Sequence, residues 1–179
     1  MIRFASLVVF TAAAAMAADQ APALNKTFDQ QLKMIEGEVV SLAEAMPADK
    51  YNFAPTQGEF SKARTFGQQV GHIAAVVNAT SAAVLGEKLP DMGPNENGPA
   101  SLKTKDDYVK YLKASFVYAH KAMTSITAEN LNDMVPSAFG KTKTPRLSMA
   151  TVPVWHSFNH YGQMVVYARM NGIVPPASR

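Results

Sequence analysis

The chain has 179 residues, of which 47% are hydrophobic, so it is long enough for one globular domain that buries its own core. It contains 0 Cys, which excludes a disulfide framework, a cysteine nucleophile and thiolate ligands for a metal. Lys and Arg together number 17 against 14 Asp and Glu, and the basic residues are scattered, so the sequence does not support nucleic-acid binding.

Residues 1–17 have the features of a secretory signal peptide. A weakly positive start is followed by the apolar run Phe4–Ala15, and Ala15-Met16-Ala17 has the small residues of a signal-peptidase site. The apolar run is short for a transmembrane helix, which makes an uncleaved anchor the alternative interpretation. We therefore predict a signal peptide at residues 1–17 and a mature domain at residues 18–179. The protein would be periplasmic or secreted, without a stable membrane anchor.

Two apolar patterns with helical spacing come next. The first ends at Pro47 and consists of Phe28, Leu32, Ile35, Val39, Leu42 and Met46. The second begins after Ser61 or Thr65, ends near Gly86, and contains Phe66, Val70, Ile73, Val77 and Val84. Each pattern predicts an amphipathic helix whose apolar side faces a core.

His72 lies on the apolar side of the second predicted helix. A helical wheel places it beside Val76, Ala79 and Ala83, so its ring should point toward the interior. A single inward histidine is more often a satisfied core residue than a metal ligand. Its role therefore depends on what the other helices bring near it.

A third helix follows the segment 88–101, whose prolines and glycines predict a surface loop. Thr104 with Asp107 three residues later is typical of a helix start. The apolar positions are Tyr108, Leu112, Phe116, Ala119, Met123 and Ile126. His120, flanked by Lys113 and Lys121, is predicted to lie on the solvated side of this helix.

The fourth helix follows a polar connection at residues 130–145 and runs to Arg169, before Gly172 and two prolines. Its start is open between a cap at Thr151 and an earlier start near Ser148 with a kink at Pro153. No segment shows the alternation of a half-buried strand, and no repeat is present. The predicted fold is all-α, a four-helix bundle.

The fourth helix carries the segment WHSFNHYGQ, residues 155–163, in which His156 and His160 are four residues apart. This spacing turns both rings to one side of a helix, where they can bind the same ion. A third imidazole, from His72 or His120, would complete the set, and a metal would offset the cost of burying unpaired rings. Imidazole ligands favour zinc or nickel, with manganese as a further option if carboxylate or water completes the shell.

The residues around the pair limit the chemistry. A zinc protease of the HExxH type needs Glu directly after the first histidine, and Ser157 stands there. Glu59 is the nearest acidic residue before the second helix, and it is either a general base or a solvated loop charge. Gln163 either orients a bound water or substrate or makes a hydrogen bond to a ligand ring.

Three stretches resemble the DinB/YfiT-like family of four-helix proteins: RTFGQQVGHI at residues 64–73, HSFNHYGQ at residues 156–163 and YARMNGIVPP at residues 167–176. The resemblance covers nearly all of the mature chain. It implies a divalent ion held by His72, His156 and His160, and it makes a homodimer plausible. The wider superfamily includes transferases and isomerases that use low-molecular-weight thiols.

Three histidines and no Cys would leave coordination positions open for water and substrate, so we predict a metal-dependent enzyme of the transferase or hydrolase type, with an unknown small-molecule substrate. The alternative is a non-catalytic metal-binding or structural helical module.

Overall fold

The structure is a computed structural model that describes residues 23–179, so the predicted signal peptide at residues 1–17 lies outside it. The prediction of an all-α four-helix bundle is confirmed. The helices are α1 (Leu24–Ala45), α2 (Phe66–Leu85), α3 (Lys105–Thr124) and α4 (Arg146–Met170). None of the helices in the described range is long and apolar enough to cross a membrane.

Each helix packs mainly against two others. Both α1 and α2 pack against α3 and α4, so α1 and α2 occupy opposite corners of the bundle. The predicted apolar seams form the core between them, and the α1 residues Leu32, Ile35, Val39 and Leu42 are fully buried. This arrangement places α2 beside α4, the two helices that carry the three histidines of the predicted site.

Polar caps fix the starts of the two middle helices. Thr65, not Ser61, caps α2: its hydroxyl accepts from the backbone N–H of Gln68, whose side chain accepts from the N–H of Thr65. The predicted cap of α3 is confirmed, because Thr104 and Asp107 form the same reciprocal pair. These caps satisfy backbone donors that have no partner inside the helix.

The start of α4 lies two residues before the earlier of the two predicted positions, near Ser148, and the cap at Thr151 is wrong. The helix begins at Arg146 and continues through Pro153. Its first N–H groups donate to backbone carbonyls of the preceding loop, Arg146 to Asp133 at 2.8 Å and Leu147 to Leu131 at 2.9 Å. Because backbone groups replace a capping side chain, no Ser or Thr marks this start in the sequence.

A short β-hairpin precedes α4. Strand β1 (Met134–Pro136) pairs antiparallel with β2 (Lys143–Pro145), with Val135 opposite Thr144. The expectation that no segment forms a strand is wrong here. Strands of 3 residues are too short to show a repeated alternation of polar and apolar side chains.

Candidate metal centre

Three buried histidines meet between α2 and α4. The ring centroid of His72 is 4.9 Å from that of His156 and 4.6 Å from that of His160, and the two α4 rings are 4.5 Å apart. One nitrogen from each ring can be chosen so that all three lie within 4.8 Å of one another. The three residues are 5%, 9% and 7% exposed, so all of them are buried.

The helical geometry explains the convergence. His156 and His160 are separated by slightly more than one turn of α4, which stacks their side chains on one face. His72 points inward from α2, as the apolar arc around it predicted. The packing of α2 on α4 then sets the distance between the two faces, and Nε2 of His72 lies 3.2 Å from Nε2 of His156.

Two of the rings have an acceptor behind them. Nδ1–H of His72 donates to the backbone carbonyl of Glu96 at 2.8 Å, and Nδ1–H of His160 donates to Oε1 of Gln69 at 2.6 Å. These acceptors fix the tautomer, so the Nε2 atoms of both rings carry lone pairs. Behind the third ring, Nδ1 of His156 is buried and has no hydrogen-bond partner among residues 23–179.

The environment keeps the three rings neutral. Burial lowers the pKa of His156 to about 3 and that of His160 to about 4, with smaller contributions from the other histidines and Arg64. Burial also lowers the pKa of His72, although its bond to the Glu96 carbonyl opposes the shift. At neutral pH the cluster therefore offers imidazole lone pairs rather than positive charges, which is the state a metal requires.

The spacing also suits an ion. Zinc–nitrogen bonds of about 2.0–2.1 Å place two ligands of a tetrahedral site about 3.3–3.4 Å apart. The 3.2 Å between the Nε2 atoms of His72 and His156 is close to that separation. Without an ion, this contact requires one of the two rings to donate a proton to the other. The residues present can therefore hold a divalent metal through three nitrogen atoms.

His120, the alternative third ligand, lies elsewhere in the bundle. Its Nδ1 is 2.6 Å from a carboxylate oxygen of Asp29, and its Nε2 is 2.9 Å from one of Glu36. Both partners lie on α1, so the ring bridges α1 and α3. The structure thus places His72, and not His120, beside the α4 pair.

The two polar residues proposed to assist the histidines have different positions. Glu59 is exposed in its loop. Gln163 is hydrogen-bonded to Gln69 rather than to a ligand ring: its Oε1 accepts from Nε2 of Gln69 at 2.9 Å, and Gln69 in turn holds His160. The predicted direct bond from Gln163 to a ligand ring is therefore wrong, and its alternative role of orienting a bound water or substrate stays a prediction.

Sequence reasoning missed Gln69 and Glu96. Gln69 is only 2% exposed and lies three residues before His72 on α2, so a polar residue inside an apolar arc was the available signal. Glu96 has no such signal, because the segment 94–97 reaches His72 only through the fold. Its carboxylate is 4.0 Å from Nδ1 of His72, which makes it the acidic group nearest to that ring nitrogen.

Comparisons with known proteins agree with this architecture. A family model described as the DinB superfamily matches residues 31–164. A DinB-like protein from Bacillus cereus has a solved structure similar to 84% of this chain and 95% of its own, with a TM-score of 0.67 and 14% identity. No curated protein matches the chain.

Two further solved structures are similar. A conserved protein from Enterococcus faecalis gives a TM-score of 0.65 and 16% identity, over 84% of this chain and 98% of its own. A DinB-like protein from Bacillus subtilis gives 0.61 and 18%, over 82% and 92%. At these identities the likeness concerns the fold.

Proposed function

The chain belongs to the DinB superfamily, and on that premise we propose that it is a metal-dependent enzyme of the transferase or hydrolase type that acts on a small molecule. In this proposal His72, His156 and His160 bind one divalent ion, zinc or nickel in preference to manganese. The observation that carries the proposal is the convergence of three buried, neutral imidazoles from two helices.

The small number of ligands supports an enzyme over a structural site. Among residues 23–179, the group that could hold an ion consists of these three histidines. Structural zinc sites are usually closed by four protein ligands, whereas catalytic sites have three and leave a position for water or substrate. A divalent ion supplies Lewis acidity, which lowers the pKa of a thiol or water molecule beside it.

The other residues of the site orient the rings. The carbonyl of Glu96 holds His72, and Gln69 holds His160, so both Nε2 lone pairs have a fixed direction before any ligand arrives. Gln163 keeps the Gln69 amide in its orientation. The nearly complete burial of the rings restricts access of bulk water.

The sole tryptophan provides a direct test. The ring of Trp155 lies 5.9 Å from that of His156, so a paramagnetic ion such as Co²⁺ should quench its fluorescence on binding. We expect one Co²⁺ per chain by elemental analysis, and loss of most of it in His72→Ala, His156→Ala and His160→Ala. Gln69→Ala should weaken binding by about 10–100-fold, the usual effect of losing a partner behind a ligand ring.

We call His72, His156 and His160 the triad. The matched control is His120→Ala, which removes a histidine outside the triad and should keep the ion. Retention of Co²⁺ in all three triad variants would remove the metal from the proposal. Loss in His120→Ala with retention in His72→Ala would instead reassign the third ligand.

The absorption spectrum of the Co²⁺-loaded protein distinguishes an open, enzyme-like site from a closed, structural one. An open position should accept an added thiol such as 2-mercaptoethanol and give a new sulfur-to-cobalt band in the near-ultraviolet spectrum. A spectrum that does not respond to thiol or to other small ligands would indicate a closed site. That result would favour the non-catalytic alternative.

A further inference from the structure

A cavity of about 470 Å³ opens beside the start of α2. It is lined by Lys62, Ala63, Arg64, Gln68, Asn95 and Asn97. Both charged side chains in this set are cations, and the other polar ones are neutral amides. We name it the Arg64 cavity. An oxyanion is the ligand that such a lining complements.

The charge of Arg64 is not neutralised by the protein. Its Nε donates to Oδ1 of Asn97 at 2.7 Å, and its Nη2 donates to the backbone carbonyl of Asn95 at 3.0 Å. Both acceptors are neutral, and within residues 23–179 no carboxylate forms an ion pair with the guanidinium. These bonds fix the orientation of the group and leave the two N–H donors of Nη1 for a ligand.

The backbone N–H groups at the start of α2 are not available to an anion, because they already donate to other acceptors. The N–H of Phe66 donates to the carbonyl of Phe53 at 2.9 Å, and that of Gly67 donates to the carbonyl of Tyr51 at 2.8 Å. The N–H of Gln68 is taken by the hydroxyl of Thr65. Recognition in the Arg64 cavity therefore depends on side chains.

One short segment joins the cavity to the histidines. Asn95 and Asn97 hold Arg64, while the carbonyl of Glu96 between them accepts from His72. Asn95 and Glu96 have φ angles of 52° and 60°, a left-handed conformation that non-glycine residues rarely adopt and that persists where surrounding contacts impose it. Arg64 and His72 are therefore positioned by the same three residues.

Electrostatics agree with this proximity. Burial is the main cause of the lowered pKa of each triad histidine, and the charge of Arg64 is a further cause for all three. Glu96 is the nearby carboxylate, but its side chain does not line the cavity. An anionic group in the Arg64 cavity would lie beside the segment 95–97, whose Glu96 carbonyl holds His72.

We propose that the Arg64 cavity binds the carboxylate or phosphate group of the substrate, while another part of the same molecule reaches His72, His156 and His160. This assignment rests on the proposed function, because it names the chemical class of its substrate. It makes Arg64 a substrate-binding residue and predicts that neutral molecules bind poorly.

Calorimetry on metal-free protein tests the cavity without involving the metal. Inorganic phosphate and succinate serve as probes, and the tighter of the two identifies the kind of group that the cavity takes. We expect Arg64→Gln to weaken binding at least about tenfold, as for loss of a charge-assisted pair. Lys62→Glu should weaken it severalfold, and it provides a second variant if Arg64→Gln fails to fold.

Arg169→Gln is the matched control, since Arg169 lies at the end of α4 and donates to Ser178 on the surface. It should bind both probes like the wild type. Failure of both probes to bind, or equal binding by wild type, Arg64→Gln and Lys62→Glu, would overturn the assignment while leaving the Co²⁺ result unaffected. Anion binding without Co²⁺ binding would instead support the assignment of the Arg64 cavity and contradict the proposed metal site.

Discussion

At the scale of single residues, His120 shows how differently one side-chain type is used in this bundle. The triad histidines are neutral because burial lowers their pKa values. Burial also lowers the pKa of His120, but hydrogen bonds to Glu36 and Asp29 outweigh it, so the net pKa is raised above 6.5. The raised pKa favours the protonated form of His120, whose ring links α1 to α3, while the triad provides lone pairs.

This difference predicts a pH dependence. Because the folded-state pKa of His120 is raised, its stabilisation is fully present below pH 6.5 and is lost as pH rises through that folded value. We expect the melting temperature of metal-free protein to fall as pH rises above 6.5. His120→Asn should be less stable at the lower pH and should lose this part of the slope.

The triad does not interfere in that window, since its lowered pKa values move its titration below pH 6.5. Thermal melts of both proteins across the range give the comparison. An identical fall of the melting temperature with pH in wild type and His120→Asn would show that Asp29 and Glu36 do not stabilise protonated His120.

At the scale of elements, two glycines within helices have opposite surroundings. A Cβ added to Gly37 of α1 would meet nothing within 4 Å, whereas one added to Gly71 of α2 would overlap the carbonyl oxygen of Asn97. The segment 94–97 therefore lies directly on α2 at Gly71. Glycine at this position lets the loop approach closely enough for Glu96 to reach His72.

The same substitution at both sites should have opposite effects. Gly37→Ala should raise the free energy of unfolding by about 0.5–1 kcal/mol, because alanine loses less backbone entropy in a helix. Gly71→Ala should lower it by about 1–3 kcal/mol, the usual cost of overpacking. It should also weaken Co²⁺ binding by displacing the carbonyl that orients His72.

Urea unfolding of the two variants, followed by circular dichroism, measures the change in the free energy of unfolding. Quenching of Trp155 fluorescence measures the change in Co²⁺ binding. Stabilisation by both substitutions would mean that the loop is not packed on α2 as described.

At the scale of the whole molecule, α4 has an apolar stripe that the bundle does not cover. Trp155, Phe158, Val166 and Met170 are 54%, 43%, 52% and 51% exposed. Their spacing of three, eight and four residues places them on one side of the helix. Exposed Asn159 and Gly162 lie between Phe158 and Val166, and several apolar side chains exposed on one side of a helix are typical of a protein interface.

We expect the chain to form a homodimer through this stripe, the partner that the family resemblance made plausible. Val166→Glu places a charge at the centre of the stripe and should give a monomer in analytical ultracentrifugation. Val117→Glu is the matched control, because Val117 is 70% exposed on α3 and lies outside the stripe. A monomeric wild type, or equal dissociation of both variants, would contradict the assignment.

The sequence alone determined the parts of this protein that depend on neighbours along the chain. The apolar period of α1, the cap at Thr104, and the one-sided placement of His156 and His160 all follow from local helix geometry. For α2 the sequence left Ser61 and Thr65 as alternative caps, and the structure selects Thr65. The four-helix fold could be predicted because four amphipathic helices bury their apolar faces by packing against one another. The family motifs pointed to the same fold.

The tertiary structure decided what depends on residues far apart in the chain. Helical spacing alone left His72 and His120 as rivals, and the packing of α2 on α4 brought His72 to the pair. The acceptors behind the rings, the loop that joins Arg64 to His72, and the start of α4 also arise from contacts across loops or between helices. Periodicity carries no information about such contacts, because it specifies which face of a helix is buried but not which group it meets there.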